Sequence, residues 1–269
     1  MTFEGVWLWA ISEWLNLLSL FWFAACWLGY SEYARHKAPH TECLALVMHH
    51  HRIDWMKQVV SREMRVQDAS IIANLERNVA FMASTSMLVL AGLVTVLARS
   101  GDLYELLAIL PFVNNTSPAV IQLKLLVLSG IFVYAFFTFT WSLRQFGFGG
   151  VLVGAMPYKE RSELSEEECN RYAESAGKVL DKAAHSYNFG LRSYYFAMAL
   201  FCWFINPLLF MAAVTLVVWI LYRREFHSGT LKALLQVSAD WHAGSEKLAR
   251  KKDEALEKQS HDKQQENGE

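Results

Sequence analysis

Apolar residues gather into four long runs along the chain, and polar residues gather between them. The runs cover residues 7–30, 79–98, 120–143 and 194–222. A lipid hydrocarbon core is about 30 Å thick and a helix rises about 1.5 Å per residue, so each run is long enough to cross it. The pattern predicts an all-α polytopic membrane protein with four apolar segments and amphipathic cytoplasmic helices between them.

The last apolar run has a length that suits neither one span nor two. Its 29 residues would form a straight helix of about 43 Å. At its centre, Pro207 lacks a backbone donor and disfavours helical geometry at Asn206, so we expect a break at this pair. Two alternatives remain open: a hairpin of two helices, beginning as early as Ala183, or one tilted, kinked helix.

Two connections carry the periodicity of amphipathic helices, at about residues 42–78 and 162–190. The second begins with Ser165 followed three residues later by Glu168, which is the pattern of a capping box. We expect these helices to pack antiparallel to each other. Residues 1–226 then form a membrane-embedded domain, and the charged residues 227–269 form a tail that is partly helical or disordered.

Composition supports the membrane assignment, because 54% hydrophobic and 14% aromatic residues are too many for an ordinary soluble domain. The net charge of −1 gives no reason to expect a nucleic-acid partner. The four cysteines have no paired spacing, so reduced thiols are expected. The predicted partners are the lipid bilayer and further copies of the chain.

The distribution of lysine and arginine predicts the orientation, because cytoplasmic connections carry the excess. Residues 31–78 and 144–193 hold seven each, whereas residues 99–119 hold one. The N-terminus is therefore expected outside. Nine basic residues follow Tyr222, so the tail is expected in the cytoplasm. A bacterial inner membrane is the expected location.

Three consecutive histidines, His49, His50 and His51, raise the question of a metal site. Neighbouring residues of a helix are rotated by about 100°, so these side chains fan around the axis and cannot share one ion. We expect a polar helical face here, with neither a metal nor a cofactor.

Several short motifs recur in a fixed order between residues 5 and 228. Together they resemble the domain-of-unknown-function 599 family, whose members are small integral membrane proteins. The resemblance implies a multi-pass membrane protein and no particular chemistry. It is carried by Arg52, Trp55-Met56, Arg65-Val66, Asp68, Asn74-Leu75, "FMASTSMLVLAGL", "FTWSLRQF", "RSYYFAMALFCWFINP" and "LYRREF".

The candidate functional residues are the polar members of these motifs and the predicted break. Asp68 is expected to cap the helix that enters the bilayer or to pair with an arginine. Asn206 either satisfies the freed backbone at the break or lines a polar path. Glu13 and Lys124 are expected to snorkel from the outer ends of their helices. The full set is Arg52, Arg65, Asp68, Asn74, Arg144, Asn206 and Pro207.

No order or spacing of residues typical of a catalytic site occurs, so an enzyme is not expected. Two function classes remain. One is an oligomeric channel or transporter, because broken helices often build ion sites in membranes. The other is a membrane scaffold that presents a charged cytoplasmic platform to partners.

Overall fold

The structure is a computed structural model that describes residues 14–37, 41–109, 117–158 and 164–240. Seven helices account for most of these residues, and residues 229–240 form a further helical stretch. The all-α class predicted from the sequence is confirmed. The helices are α1 (Trp14–Lys37), α2 (Leu44–Val60), α3 (Val66–Ala98), α4 (Ser100–Ala108), α5 (Pro118–Gly154), α6 (Glu166–Ile205) and α7 (Pro207–Phe226).

Within the described residues, three helices are long and apolar enough to cross a membrane: Val66–Ala98, Pro118–Gly154 and Pro207–Asp240. By length and composition, the described residues thus contain one span fewer than the four apolar segments predicted. The first predicted run begins at residue 7, outside the described residues, and its helix α1 ends in the polar sequence "SEYARHK". The fourth run is divided between α6 and α7.

The predicted break at Asn206-Pro207 is confirmed. Helix α6 ends at Ile205, Asn206 has an extended backbone (φ −155°, ψ 133°), and Pro207 is the first residue of α7. The Asn206 side-chain oxygen accepts the N–H of Leu208 at 2.7 Å. Asn206 is thus the N-cap of α7 and satisfies a backbone donor that the break leaves free.

Helix α7 turns back along α6, so the hairpin alternative is right and the single kinked helix is wrong. The Trp203 and Phe210 rings stack with centroids 5.1 Å apart, close to the turn. Further from it, Arg224 donates to the Tyr195 hydroxyl at 2.8 Å. Helix α6 is 40 residues long, or about 60 Å, because it joins the predicted cytoplasmic helix to the apolar segment without interruption.

The helices define two ends of one bundle. The first is here called the break end. There, Lys124 of α5 donates a hydrogen bond to the Trp203 carbonyl near the turn, and the Gln122 side chain donates one to the Ser100 hydroxyl just after α3. At the second, here called the basic end, Arg65 before α3 contacts the residues that follow α5. The break therefore lies at an end of the bundle, although it is the centre of its apolar run in the sequence.

The path of the chain places the start of α1 and the end of α7 at opposite ends. Asn16 of α1 accepts a hydrogen bond from the Trp203 indole at 2.9 Å, at the break end. At the basic end, the Tyr33 ring lies 6.3 Å from the ring of Phe226. Helices α1 and α7 therefore run parallel, and α6 runs antiparallel to both.

Candidate functional site

A carboxylate on α6 joins the two amphipathic helices at the basic end. Asp181 accepts hydrogen bonds from Arg52 Nη1 at 2.7 Å and from His49 Nδ1 at 2.9 Å, both on α2. His185 Nδ1 lies 3.9 Å from the same carboxylate. Gly177 allows the close approach, because a Cβ there would lie 3.0 Å from the Cα of Ile53. The predicted antiparallel packing of these helices is confirmed.

Asp68 forms a second buried ionic contact, and its expected role as a cap is wrong. The N-cap of α3 is Arg65, and no side chain caps the helix there. Asp68 is the third residue of α3 and is fully buried. Its Oδ1 accepts from Arg62 Nη1 and from Trp55 Nε1, both at 2.7 Å. The alternative, pairing with an arginine, is the arrangement found.

Arg65 closes the C-terminal end of α5. Its guanidinium donates to the carbonyl of Pro157 at 3.0 Å, to that of Val153 at 3.4 Å and to that of Met156. The last carbonyls of a helix lack intrahelical donors and carry partial negative charge, so a cation is favourable there. Arg65 and Asp68 thus hold α3 against α5 and α2.

A cavity of about 300 Å³ lies at the basic end between α1, α2, α6 and α7. Its ionisable lining consists of Arg52, His185, Arg192, Arg224 and Glu225. One apolar cluster occupies the bundle from this level towards the break end, and a second packs α2, α3, α5 and α6 together at the basic end. The cavity therefore places ionisable side chains beside the end of the first apolar cluster.

Two lining residues connect the cavity to neighbouring helices. Glu225 accepts the N–H of Ala45 at 3.0 Å, in the first turn of α2, and lies 3.9 Å from Arg192. The Arg192 guanidinium lies 5.3 Å from the ring centroids of both Tyr30 and Phe189. Sequence reasoning missed Arg192, Arg224 and Glu225, although "RSYY" and "LYRREF" place all three at the ends of apolar stretches.

The three histidines point in different directions, as predicted. His49 contacts Asp181, His51 Nε2 lies 3.5 Å from Ser238 Oγ, and His50 is exposed. Among the described residues, no group of three or more histidine, cysteine, aspartate or glutamate side chains is arranged to hold a metal ion. The absence of a bound metal from the protein stays a prediction.

Cys43 has a structural role at the start of α2. It is the N-cap of this helix, and its Sγ accepts the N–H of Leu46 at 3.5 Å. The side chain is fully buried, and this burial raises the pKa of the Cys43 thiol. A thiol that stays protonated at neutral pH is a poor nucleophile, so Cys43 is not a catalytic candidate.

The sequence-predicted residues do not form one site. Arg52, Arg65 and Asp68 lie at the basic end, whereas Asn206 and Pro207 form the turn at the break end. The other two are exposed: Asn74 on α3, and Arg144 on α5, where its guanidinium lies 5.7 Å from the Phe148 ring. Only Arg52 lines the cavity at the basic end.

Lys124 does not snorkel to the surface, which corrects the expectation from its position in the sequence. Its side chain is 1% exposed, and Nζ donates to the Trp203 carbonyl at 2.7 Å. The ammonium also lies 5.4 Å from the Trp203 ring. The carbonyls that end α6 and the aromatic faces offer the cation a favourable buried environment. Glu13 lies outside the described residues.

The comparisons with known proteins identify a family. A family model described as "Protein of unknown function, DUF599" matches residues 18–230. The match covers most of the chain, which therefore belongs to this family. Neither a curated protein nor a solved structure matches the chain.

Proposed function

We propose that this family member is a transporter-like membrane protein, whose solute enters through the cavity at the basic end. The observation that carries the proposal is the cavity itself, which has about 300 Å³ and a charged lining at the border of an apolar bundle. Ligand sites in helical membrane proteins lie between helices, and ionisable residues at such positions often mark a solute path. The arginine-rich lining favours an anionic solute.

The packing above the cavity supports a closed resting state. The Trp27 and Phe196 rings stack at 5.5 Å, and Phe23 lies edge-on to Phe196 at 5.8 Å. Phe196 and Phe210 are both fully buried, so the aromatic layer closes the route towards Lys124 at the break end. Passage would require the hairpin of α6 and α7 to shift against α1, exposing the cavity alternately to the two sides.

In this proposal the protein catalyses no reaction. Copies of the chain assemble into an oligomer in a bacterial inner membrane. The exposed apolar side chains on α3, among them Phe81 and Leu88, support a surface covered by lipid or by a second copy. A scaffold is the second candidate function. It is favoured by the ionic contacts of Asp181, which join α2 to α6 at the basic end.

We expect the purified protein in liposomes to release a trapped anion faster than empty liposomes do. Arg224→Gln should slow this release about tenfold, because a charge-assisted hydrogen bond contributes about 1.5 kcal/mol. Arg144→Gln is the matched control, since Arg144 is exposed and lies outside the cavity. Phosphate and chloride release would be followed with an ion-sensitive dye and an electrode.

Release at the rate of empty liposomes, from protein that is folded and inserted, would reject the transporter in favour of the scaffold. Equal slowing by Arg224→Gln and Arg144→Gln would reject the cavity as the entrance. Both variants remove one positive charge from the basic half of the protein. A change in surface potential alone would therefore slow anion release equally in both.

The orientation completes the proposal: the basic end and the C-terminal tail face the cytoplasm. The seven basic residues in each of the two connections at this end support it, as do the nine after Tyr222. A fluorescent protein fused after residue 269 should fold and fluoresce, and alkaline phosphatase fused there should be inactive. Fusions after residue 110, in the connection with one basic residue, should give the opposite pair. This orientation would be contradicted if, at residue 269, the fluorescent-protein fusion did not fluoresce and the alkaline phosphatase fusion were active.

A further inference from the structure

The Tyr30 hydroxyl is a buried polar group without a hydrogen-bond partner among the described residues. The side chain is 6% exposed, and its hydroxyl makes no hydrogen bond with the described residues. Tyr30 lines the cavity at the basic end. Leaving such a hydroxyl unpaired in a buried place is unfavourable, so a bound ligand that accepts from it would remove this penalty.

Three arginines offer further donors to the same cavity from three different helices. Arg52 on α2 uses one Nη for Asp181, and Arg224 on α7 uses one for the Tyr195 hydroxyl. Arg192 on α6 lies 3.9 Å from Glu225. A guanidinium carries five N–H donors, so each of the three keeps most of its donors for a ligand.

The acidic lining does not balance these arginines. Glu225 is the acidic residue among those that line the cavity, and it already accepts the N–H of Ala45. Asp181 is shared between Arg52 and His49. A small anion with several acceptor oxygens therefore meets an excess of donors and of positive charge.

We infer that the cavity binds a phosphate group, held by Arg52, Arg192 and Arg224 with the Tyr30 hydroxyl as a further donor. A carboxylate has two oxygens in one plane and matches one guanidinium fork. A tetrahedral phosphate presents oxygens in several directions, which suits three guanidinium groups on three helices. The inference names the ligand class of the proposed entrance, and it rests on the proposed function for the place of this cavity on a solute path.

The phosphate could belong to a lipid headgroup or to a soluble solute, because the charged lining of the cavity borders an apolar cluster. The shared chemistry is the anionic phosphate oxygens. The two sources differ in whether an acyl chain adds to the binding energy, so one lipid and one soluble probe separate them.

The test measures binding to the full chain in phosphatidylcholine nanodiscs, with inorganic phosphate in solution or phosphatidic acid in the disc as the probe. We expect saturable binding of at least one probe, weakened at least tenfold by Arg224→Gln and about fivefold by Tyr30→Phe. Tyr30→Phe removes a hydroxyl that has no partner among the described residues, so it should leave the thermal midpoint of the unliganded protein unchanged or higher.

Tyr172→Phe and Arg144→Gln are the matched controls. The Tyr172 hydroxyl donates to the Leu152 carbonyl at 3.1 Å, away from the cavity, so its loss should lower stability and leave binding unchanged. Binding of inorganic phosphate alone would identify a soluble solute, and binding of phosphatidic acid alone a lipid headgroup. Both outcomes support the phosphate site.

Two results would overturn the inference: no saturable binding of either probe, or equal affinities of Tyr30→Phe, Arg224→Gln and the two controls. Because binding is measured without flux, the outcome is separate from that of the proposed function. Phosphate binding without anion release would reject transport and keep the site. Anion release that phosphate does not inhibit, with no phosphate binding, would reject the site and keep transport.

Discussion

Gly190→Ala is expected to destabilise the bundle by about 1 kcal/mol, because α6 and α5 touch at this residue. A Cβ on Gly190 would lie 2.5 Å from Cε1 and 2.7 Å from Cζ of the Phe139 ring. Phe139 is fully buried, so its ring cannot turn out to solvent to relieve the contact. Overpacking a buried contact costs about 1 to 3 kcal/mol, which outweighs the gain of about 1 kcal/mol from alanine's helix propensity.

Gly130→Ala is the matched control for this prediction. Gly130 is also a helical glycine, on α5, but no atom outside its own helix lies within 4 Å of its added Cβ. It should raise stability slightly or leave it unchanged. Thermal unfolding in detergent, followed by circular dichroism, measures both variants. Equal midpoints for Gly190→Ala and Gly130→Ala would show that the α5–α6 contact is looser than described here.

The sequence predicts the helical class and the break well, because both depend on local chemistry. Runs of apolar residues require burial in lipid, and Pro207 ends a helix wherever the chain goes next. The capping box of Ser165 and Glu168 is also confirmed, with Glu168 accepting the Ser165 N–H at 2.8 Å. This hydrogen bond lowers the pKa of the Glu168 carboxyl.

The sequence does not predict which residues of different helices meet. Lys124 has the sequence context of a residue that snorkels, yet the turn at Asn206 brings the Trp203 carbonyl within 2.7 Å of its ammonium. The number of apolar segments predicted from the sequence, four, differs from the three candidate spans among the described residues for a related reason. Helix α6 enters the bundle from a polar stretch, so its apolar part is shorter than the helix that carries it.

The cavity could be predicted only in part. Arg52 belongs to one of the motifs that resemble the family, whereas Arg192 and Glu225 are 33 residues apart in the chain and meet because α7 turns back along α6. Tyr30 lies at the end of the first apolar run. Tyrosine is common at membrane boundaries, so this position in the sequence does not indicate a binding site. Its missing hydrogen-bond partner is a property of the folded protein alone.

Asp68→Ala is expected to lower the free energy of unfolding by about 2 to 3 kcal/mol, more than the loss of a helix cap would. Asp68 is fully buried and accepts from both Trp55 Nε1 and Arg62 Nη1, so alanine leaves the indole N–H without its partner. Removing one member of a buried ion pair costs about 3 to 5 kcal/mol. The loss is smaller here because Arg62 is 45% exposed and can turn its charge to water.

Asp68→Asn separates the two contacts of this carboxylate. Its side-chain oxygen can still accept from Trp55, but it carries no charge to pair with Arg62, so about half of the loss should remain. Asp54→Ala is the control on α2, since Asp54 is partly exposed and forms no ion pair with the described residues; it should change stability by less than about 0.5 kcal/mol. Unfolding midpoints in detergent that are equal for Asp68→Ala and Asp54→Ala would contradict the description of Asp68 as the link between α2 and α3.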